Sequence, residues 1–160
     1  MSNILRNHGH DDPANKTNEN LWRLLAEAGI RAKHPREVDV DTPVFLTNSV
    51  LRLKEGPMNR PVPANCVKAC TERHLLPLLS WLKPPVVVGM GSCGWRAVRR
   101  AFALVEAPRP ISLAAGSHWT AADGTELFAA GHCSPLGLIN RPWPQQLLDS
   151  RRIGAAVAVV

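Results

Sequence analysis

Short apolar segments alternate with amphipathic ones along this chain, and this alternation is the strongest constraint on its fold. These segments are almost wholly apolar, as expected of strands that are covered on both sides. They occupy residues 44–52, 86–90, 111–115 and 126–131. Strands that alternate with helices favour a parallel sheet with helices on both faces. The sequence therefore predicts a three-layer α/β/α fold with a short, mainly parallel central sheet.

The amphipathic segments predict four helices. Asn18 is a suitable N-cap for the first of them, and Gly29 a suitable stop. Pro77 is expected to kink or split the long second helix, because proline lacks the backbone N–H that an inner helical turn uses. The predicted helices span residues 19–28, 64–82, 91–104 and 144–156, and the predicted loops span 7–17, 54–63 and 116–124.

Length and composition are those of a single globular domain. A chain of 160 residues with 45% hydrophobic residues can bury roughly 68–70% of its unfolded surface. The net charge of +6 and the pI of about 9.7 favour a polyanionic partner such as nucleic acid, although many soluble domains are basic. We therefore expect one domain over residues 1–160.

Cysteine content and hydropathy indicate the compartment. The chain has four cysteines, no leader segment and no apolar run approaching 18 residues, so we expect a cytoplasmic protein with reduced thiols and no membrane segment. Cys66 and Cys70 are four residues apart, and Cys133 adjoins His132. Because no Cys-x-x-Cys or His-x₃-His pair accompanies them, we expect no metal site.

The most informative local motif is Gly131-His132-Cys133-Ser134-Pro135-Leu136, which follows the predicted strand at 126–131. It places an imidazole at the carboxyl end of a sheet strand, where open α/β sheets bind ligands. The predicted strand at 44–52 carries a second polar group, the carboxamide of Asn48. Each side chain also has an ordinary structural alternative, a hydrogen-bonding histidine and a turn-closing asparagine. Together they predict a functional site.

In order and spacing these segments resemble the uracil-DNA glycosylase superfamily, from about residue 9 to residue 155. In that superfamily a strand ends in Leu/Thr-Asn-x-Val-Leu, matched here by Thr47 to Leu51. A Leu-Lys-Pro segment precedes a Val-rich strand and a Gly-Ser turn, matched from Leu82 to Ser92. The motif His-Pro-Ser-Pro-Leu is matched from His132 to Leu136 with one change, at Cys133.

The resemblance implies a role for each matched residue. Asn48 would read the flipped base, and His132 would stabilise the negative charge that develops on it. Ser92 and Ser134 would contact DNA phosphates or, alternatively, cap helices. Leu136 would wedge into the base stack, and Arg141 and Lys54 are candidate backbone contacts. Trp22, Trp81 and Trp95 are expected in the core, whereas Trp119 and Trp143 could touch DNA.

Two departures from the superfamily pattern stand out. Its first motif, which carries the water-positioning residue, should lie upstream of Gly9, where no apolar strand is visible. We therefore expect an N-terminally shortened chain in which the water-positioning residue is not identified, with Asn7, Asp11 and Asp12 as the candidates. The iron–sulfur branches need four cysteines, of which only Cys70 has a match. We therefore expect no cluster and no other cofactor.

Three functions remain open. The first is a DNA glycosylase-type hydrolase that flips out uracil or a related deaminated base in base excision repair. The second is a catalytically impaired module that binds nucleic acid or a base on the same scaffold. The third, a flavodoxin-like small-molecule enzyme, would need a longer phosphate loop than Gly91-Ser92-Cys93-Gly94. The sequence leaves the oligomeric state open.

Overall fold

A computed structural model describes residues 16–31, 43–51 and 61–159 of the chain. These residues fall into two compact units, one of residues 16–31, 43–46 and 132–159 and the other of residues 47–51 and 61–131. The helices of the first unit are α1 (Lys16–Glu27), α6 (Pro135–Asn140) and α7 (Trp143–Val157). The second unit contains α2 (Ala64–Cys70), a π-helical turn (Thr71–Leu75), α3 (Leu76–Leu82), β1 (Val86–Met90), α4 (Gly91–Ala101), α5 (Ile111–Ala114), β2 (His118–Thr120) and β3 (Glu126–Ala130).

The second unit is built on a three-stranded sheet in the order β1-β3-β2. β1 and β3 are parallel, with Val86 opposite Glu126 and Met90 opposite Ala130. The short strand β2 pairs antiparallel with β3. The mixed α/β class and the mostly parallel sheet are thus confirmed, as are the strands predicted at 86–90 and 126–131, the second ending one residue earlier.

The core of this unit lies between the sheet and α4. Trp95 and Leu127 are fully buried, and the Trp95 indole N–H donates to the Pro108 carbonyl at 2.8 Å. Trp119 of β2 stacks on Trp95 with ring centroids 4.8 Å apart. Trp119 therefore packs on the core, contrary to the expectation that it lies free to touch DNA.

In the first unit α1 packs against α7. The Ala28 carbonyl lies so close to Gly154 that a Cβ on Gly154 would be 2.2 Å from its oxygen. The Arg151 guanidinium pairs with Glu27, and the Arg23 guanidinium lies 4.6 Å from the centroid of the Trp143 ring. These contacts join the chain's early helix to its last one.

Two predicted strands are wrong. Residues 44–51 form no strand, and Phe45, Leu46 and Leu51 are all more than half exposed; residue 52 lies outside the described residues. The segment 111–115 contains the helix α5 instead, which begins directly after Pro110. Apolar composition favours a strand only where a neighbouring strand supplies hydrogen bonds, and neither segment has such a partner among the described residues.

The other corrections concern a loop and a tryptophan, whereas the division of the long helix that was expected at Pro77 is confirmed. β2 lies within the loop predicted at 116–124, where pairing with β3 overrides its polar sequence. The helix predicted at 64–82 divides into α2, the π-helical turn and α3, with Pro77 in the first turn of α3. A proline ring clashes with the carbonyl four residues earlier, and the wider turn before it accommodates this. Trp81 is 78% exposed, so its assignment to the core is wrong.

Candidate functional site

The parallel pair β1 and β3 ends at one edge of the sheet, because Met90 lies opposite Ala130. Ser92 is exposed in the first turn of α4, where no side chain caps the helix. It is therefore not the capping residue that we considered as an alternative. His132 follows the last residue of β3 by two positions, so its Cα lies within about 7 Å of the Cα of Ala130.

The imidazole of His132 has a defined hydrogen-bonding state. Its Nδ1 accepts a hydrogen bond from the Ser134 backbone N–H at 3.1 Å. An accepting Nδ1 carries no proton, so the proton of the neutral ring is assigned to Nε2 by this contact. Surrounding protein atoms partly bury the ring and lower its pKa below the usual value. The lowered pKa favours the neutral form of His132, and this form presents Nε2–H as a donor.

The short helix α6 continues the motif. Ser134 is its N-cap, and the Ser134 hydroxyl oxygen accepts from the Gly137 N–H at 3.2 Å, so capping is an observed role of this residue. A Cβ on Gly137 would lie 1.9 Å from the His132 carbonyl oxygen, which makes glycine necessary there. Leu136 is 69% exposed on the same helix, as a wedge into a base stack requires.

The guanidinium of Arg141 is occupied within the protein. It forms two hydrogen bonds to the Asp149 carboxylate, through Nε and through Nη2, the latter at 2.7 Å. The side chains of Arg141 and Asp149 are only 21% and 5% exposed. This arrangement favours a structural role for Arg141 over the predicted contact with the DNA backbone.

Two buried carboxamides hold the backbone of the motif, and the sequence analysis missed both. Gln146 Nε2 donates to the His132 carbonyl at 3.2 Å, and Asn20 Nδ2 donates to the Cys133 carbonyl at 2.8 Å. Gln146 shares the buried side of α7 with Asp149 and Ser150. A polar stripe at i, i+3 and i+4 in the helix that follows the motif was the signal that could have revealed Gln146.

The remaining predicted residues are placed as follows. Asn48 is exposed, and its carboxamide makes no hydrogen bond to another described residue. Asn7, Asp11, Asp12 and Lys54 lie outside the described residues. The convergence of Asn48 with His132 and Gly91 around one cleft stays a prediction.

Neither a metal nor a thiolate is indicated by the described side chains. Within residues 16–31, 43–51 and 61–159, no three His, Cys, Asp or Glu residues are grouped so that they could hold a metal ion. Burial raises the pKa of the Cys133 thiol, which therefore stays protonated beside His132. None of the helices in these same ranges is both long enough and apolar enough to cross a membrane.

Comparison with known proteins identifies the family. The model of the uracil DNA glycosylase superfamily matches residues 10–148, which is most of the chain and includes both Asn48 and the motif from His132 to Leu136. A comparison with curated proteins finds no match. The chain therefore belongs to the uracil-DNA glycosylase superfamily, whose members are glycosylase-type enzymes that act on DNA.

Proposed function

We propose that this protein is a DNA glycosylase that flips uracil, or a related deaminated base, out of DNA and cleaves its N-glycosidic bond in base excision repair. The observation that carries the proposal is the state of His132. His132 lies two residues after a sheet strand in a chain of this superfamily. Its neutral imidazole presents Nε2–H as a donor, because Nδ1 accepts a hydrogen bond from the Ser134 N–H.

The chemistry needs such a donor. When the N-glycosidic bond breaks, the base leaves as an anion and the sugar gains oxocarbenium character. A preorganised donor aimed at the developing charge lowers the barrier without transferring its proton. Burial lowers the pKa of His132 and so favours its neutral form, which can donate this hydrogen bond without acting as a general acid.

Base recognition is assigned to Asn48. A carboxamide offers a donor and an acceptor side by side, which complements the O4 and N3–H of uracil, whereas the cytosine amino group would oppose the Asn48 donor. The exposure of Asn48 supports this role, since an extruded base must reach the side chain.

The DNA strand is held by hydroxyl groups and opened by an apolar side chain. Ser92 is exposed in the first turn of α4, and the Ser134 hydroxyl can donate its hydrogen to a phosphate while its oxygen caps α6. Leu136 fills the space in the stack that the extruded nucleotide leaves. Water positioning is assigned, in the same proposal, to Asn7, Asp11 or Asp12.

The decisive experiment is a single-turnover assay of base release. Oligonucleotides containing uracil, hypoxanthine or only normal bases are incubated with the full chain, and abasic sites are then cleaved with alkali. His132→Ala and Asn48→Ala should each slow uracil release by about 10²–10³-fold, as expected when a charge-stabilising donor is lost. Asn48→Asp should reduce discrimination between uracil and cytosine more than it reduces DNA binding.

The matched control is His74→Ala, which removes an exposed imidazole from the π-helical turn and should leave the rate unchanged. Wild-type protein that binds uracil-containing DNA but releases no base would instead favour the binding-module function. Unchanged rates in both His132→Ala and Asn48→Ala would overturn the assignment of the site.

A further inference from the structure

Two side chains outside the motif from His132 to Leu136 donate hydrogen bonds to consecutive backbone carbonyls inside it. Gln146 of α7 donates to the His132 carbonyl, and Asn20 of α1 donates to the Cys133 carbonyl. Both side chains belong to buried residues, Gln146 at 3% exposure and Asn20 at 8%. Buried amides rarely lack partners, but these two direct their donors at the backbone of a single segment.

The contacts of Gln146 determine which way its amide points. Its Nε2 donates both to the His132 carbonyl and to the Arg141 carbonyl, the latter at 3.0 Å. The reversed amide would place Oε1 against two acceptors, so only the observed orientation is favourable. In that orientation the buried Oε1 has no hydrogen-bond partner among the described residues. The two donor contacts therefore fix the orientation of the amide toward the His132 and Arg141 carbonyls.

The hydrogen bond from Asn20 affects the His132 imidazole through the peptide group that joins Cys133 to Ser134. The Cys133 carbonyl and the Ser134 N–H belong to the same planar trans peptide group, so they point in opposite directions. Holding the carbonyl with the Asn20 amide therefore directs the N–H, which donates to His132 Nδ1 at 3.1 Å. Gln146 holds the preceding peptide plane in the same way, and the close approach of Gly137 to its carbonyl oxygen leaves that plane little room to rotate.

We propose that Asn20 and Gln146 are positioning residues that select the Nε2–H tautomer of His132 by orienting the two peptide groups after it. The tautomer effect stands on the geometry alone, whereas its consequence for catalysis rests on the proposed function. Without these amides the peptide between Cys133 and Ser134 can rotate, the Ser134 N–H leaves Nδ1, and the proton distributes over both ring nitrogens. The donor aimed at the leaving base is then lost in part of the molecules.

Nuclear magnetic resonance of the imidazole nitrogens tests the proposal on the full chain without requiring activity. In wild-type protein above neutral pH, the two-bond ¹H–¹⁵N correlations of His132 should show a protonated Nε2 and an unprotonated Nδ1. Gln146→Met keeps the side-chain volume but removes the donor, and Asn20→Ala removes the other donor. Each should move the two nitrogen shifts toward each other. Gln145→Met, at the exposed neighbouring position of α7, is the control and should leave them in place.

Kinetics provide the second measurement. In the two variants the single-turnover rate of uracil release at saturating DNA should fall by up to about 100-fold, as misplaced catalytic groups do. The dissociation constant for DNA should stay within about twofold, since neither residue is proposed to contact DNA. Thermal unfolding establishes the folded fraction of each variant. If Gln146→Met does not fold, the same measurements on Asn20→Ala test the proposal.

The outcomes separate this proposal from the proposed function. A shift toward mixed tautomers in folded variants supports the positioning role even if the wild-type protein releases no base. Wild-type nitrogen shifts in both variants overturn it, whether or not the protein is an active glycosylase. A rate loss that only matches the loss of folded protein overturns the catalytic consequence of the tautomer, whereas the nitrogen shifts decide the positioning role itself.

Discussion

At the residue scale, the chemistry that we propose for the site depends on one short hydrogen-bond pattern around His132. The Ser134 N–H donates a hydrogen bond to Nδ1, and partial burial lowers the imidazole pKa. The same Ser134 begins a helix with its hydroxyl. One residue thus contributes its backbone to the tautomer and its side chain to the helix start, and the two contributions can be separated by substitution.

The lowered pKa of His132 predicts a pH dependence of stability. As the pH falls below the ordinary histidine value of 6.5, the unfolded chain binds a proton before the folded one does. The contribution of His132 to the free energy of unfolding is therefore complete above that value and is lost as the pH falls through the depressed folded pKa. Urea unfolding between about pH 7.5 and 4.5 should show wild type losing more stability on acidification than His132→Gln. His74→Gln is the control, and parallel curves for wild type and His132→Gln would contradict the prediction.

Substitutions at Ser134 should separate capping from DNA contact. Ser134→Ala should lower the free energy of unfolding by about 0.5–2 kcal/mol, because α6 loses its N-cap. Ser134→Asp retains a good capping oxygen and should fold normally, but its charge should weaken DNA binding by repelling a nearby phosphate. Urea unfolding and fluorescence anisotropy with labelled DNA measure the two effects. Wild-type affinity in Ser134→Asp would limit the residue to capping.

At the element scale, two helices of the first unit carry the side chains that hydrogen-bond to the backbone of the motif. Asn20 lies on α1 and Gln146 on α7, and these helices meet where the Ala28 carbonyl approaches Gly154. We therefore expect a change in the separation of α1 and α7 to move the two carboxamides relative to the backbone of residues 132 and 133.

Gly154→Ala tests this helix contact. On helix propensity alone the change would stabilise α7 by about 0.5–1 kcal/mol. The new Cβ would lie 2.2 Å from the Ala28 carbonyl oxygen, so we expect instead a loss of about 1–3 kcal/mol, as in overpacked cores. Ala155→Ser, at the exposed next position, should change stability by less than about 0.5 kcal/mol. Urea unfolding measures both variants, and a stabilised Gly154→Ala protein would show that the helices can move apart freely.

At the scale of the whole molecule, the charge balance matches the DNA substrate of the superfamily. The chain has 19 Lys and Arg residues against 13 Asp and Glu, giving a net charge of +6. Several of the cations are paired internally, among them Arg100 with Glu72, Arg141 with Asp149 and Arg151 with Glu27. Affinity for DNA should therefore come from the remaining exposed cations together with hydroxyl and backbone contacts.

Binding to DNA should weaken steeply as salt is added. The logarithm of the association constant should fall linearly with the logarithm of the salt concentration, with a slope of about −0.9 for each phosphate neutralised. Fluorescence anisotropy with a uracil-containing duplex in about 50 to 200 mM KCl measures this slope. Arg141→Gln should leave the slope unchanged, because that guanidinium is bound by Asp149. Salt-independent binding would contradict a mainly electrostatic interface.

Sequence patterns succeeded where the structure is determined by near neighbours in the chain. The Val-rich run of β1, the apolar run of β3 and the extent of α7 were identified within a few residues of their bounds. Sequence patterns failed for residues 44–51 and 111–115, whose apolar character suggested strands. A strand exists only if another strand pairs with it, and a single sequence does not show which segments pair.

The amino-acid sequence by itself determined the superfamily, the α/β class and the identity of His132 and Asn48 as candidate site residues. These depend on motif order and on local periodicity, both of which can be read along the chain. Only the tertiary structure decided which nitrogen of His132 accepts the Ser134 N–H, the engagement of Arg141 by Asp149, and the contacts of Asn20 and Gln146 with the backbone of the motif. The physical reason is that a hydrogen bond depends on atoms that meet in space: Asn20 and Cys133 are 113 residues apart in the chain, and folding alone brings them to 2.8 Å.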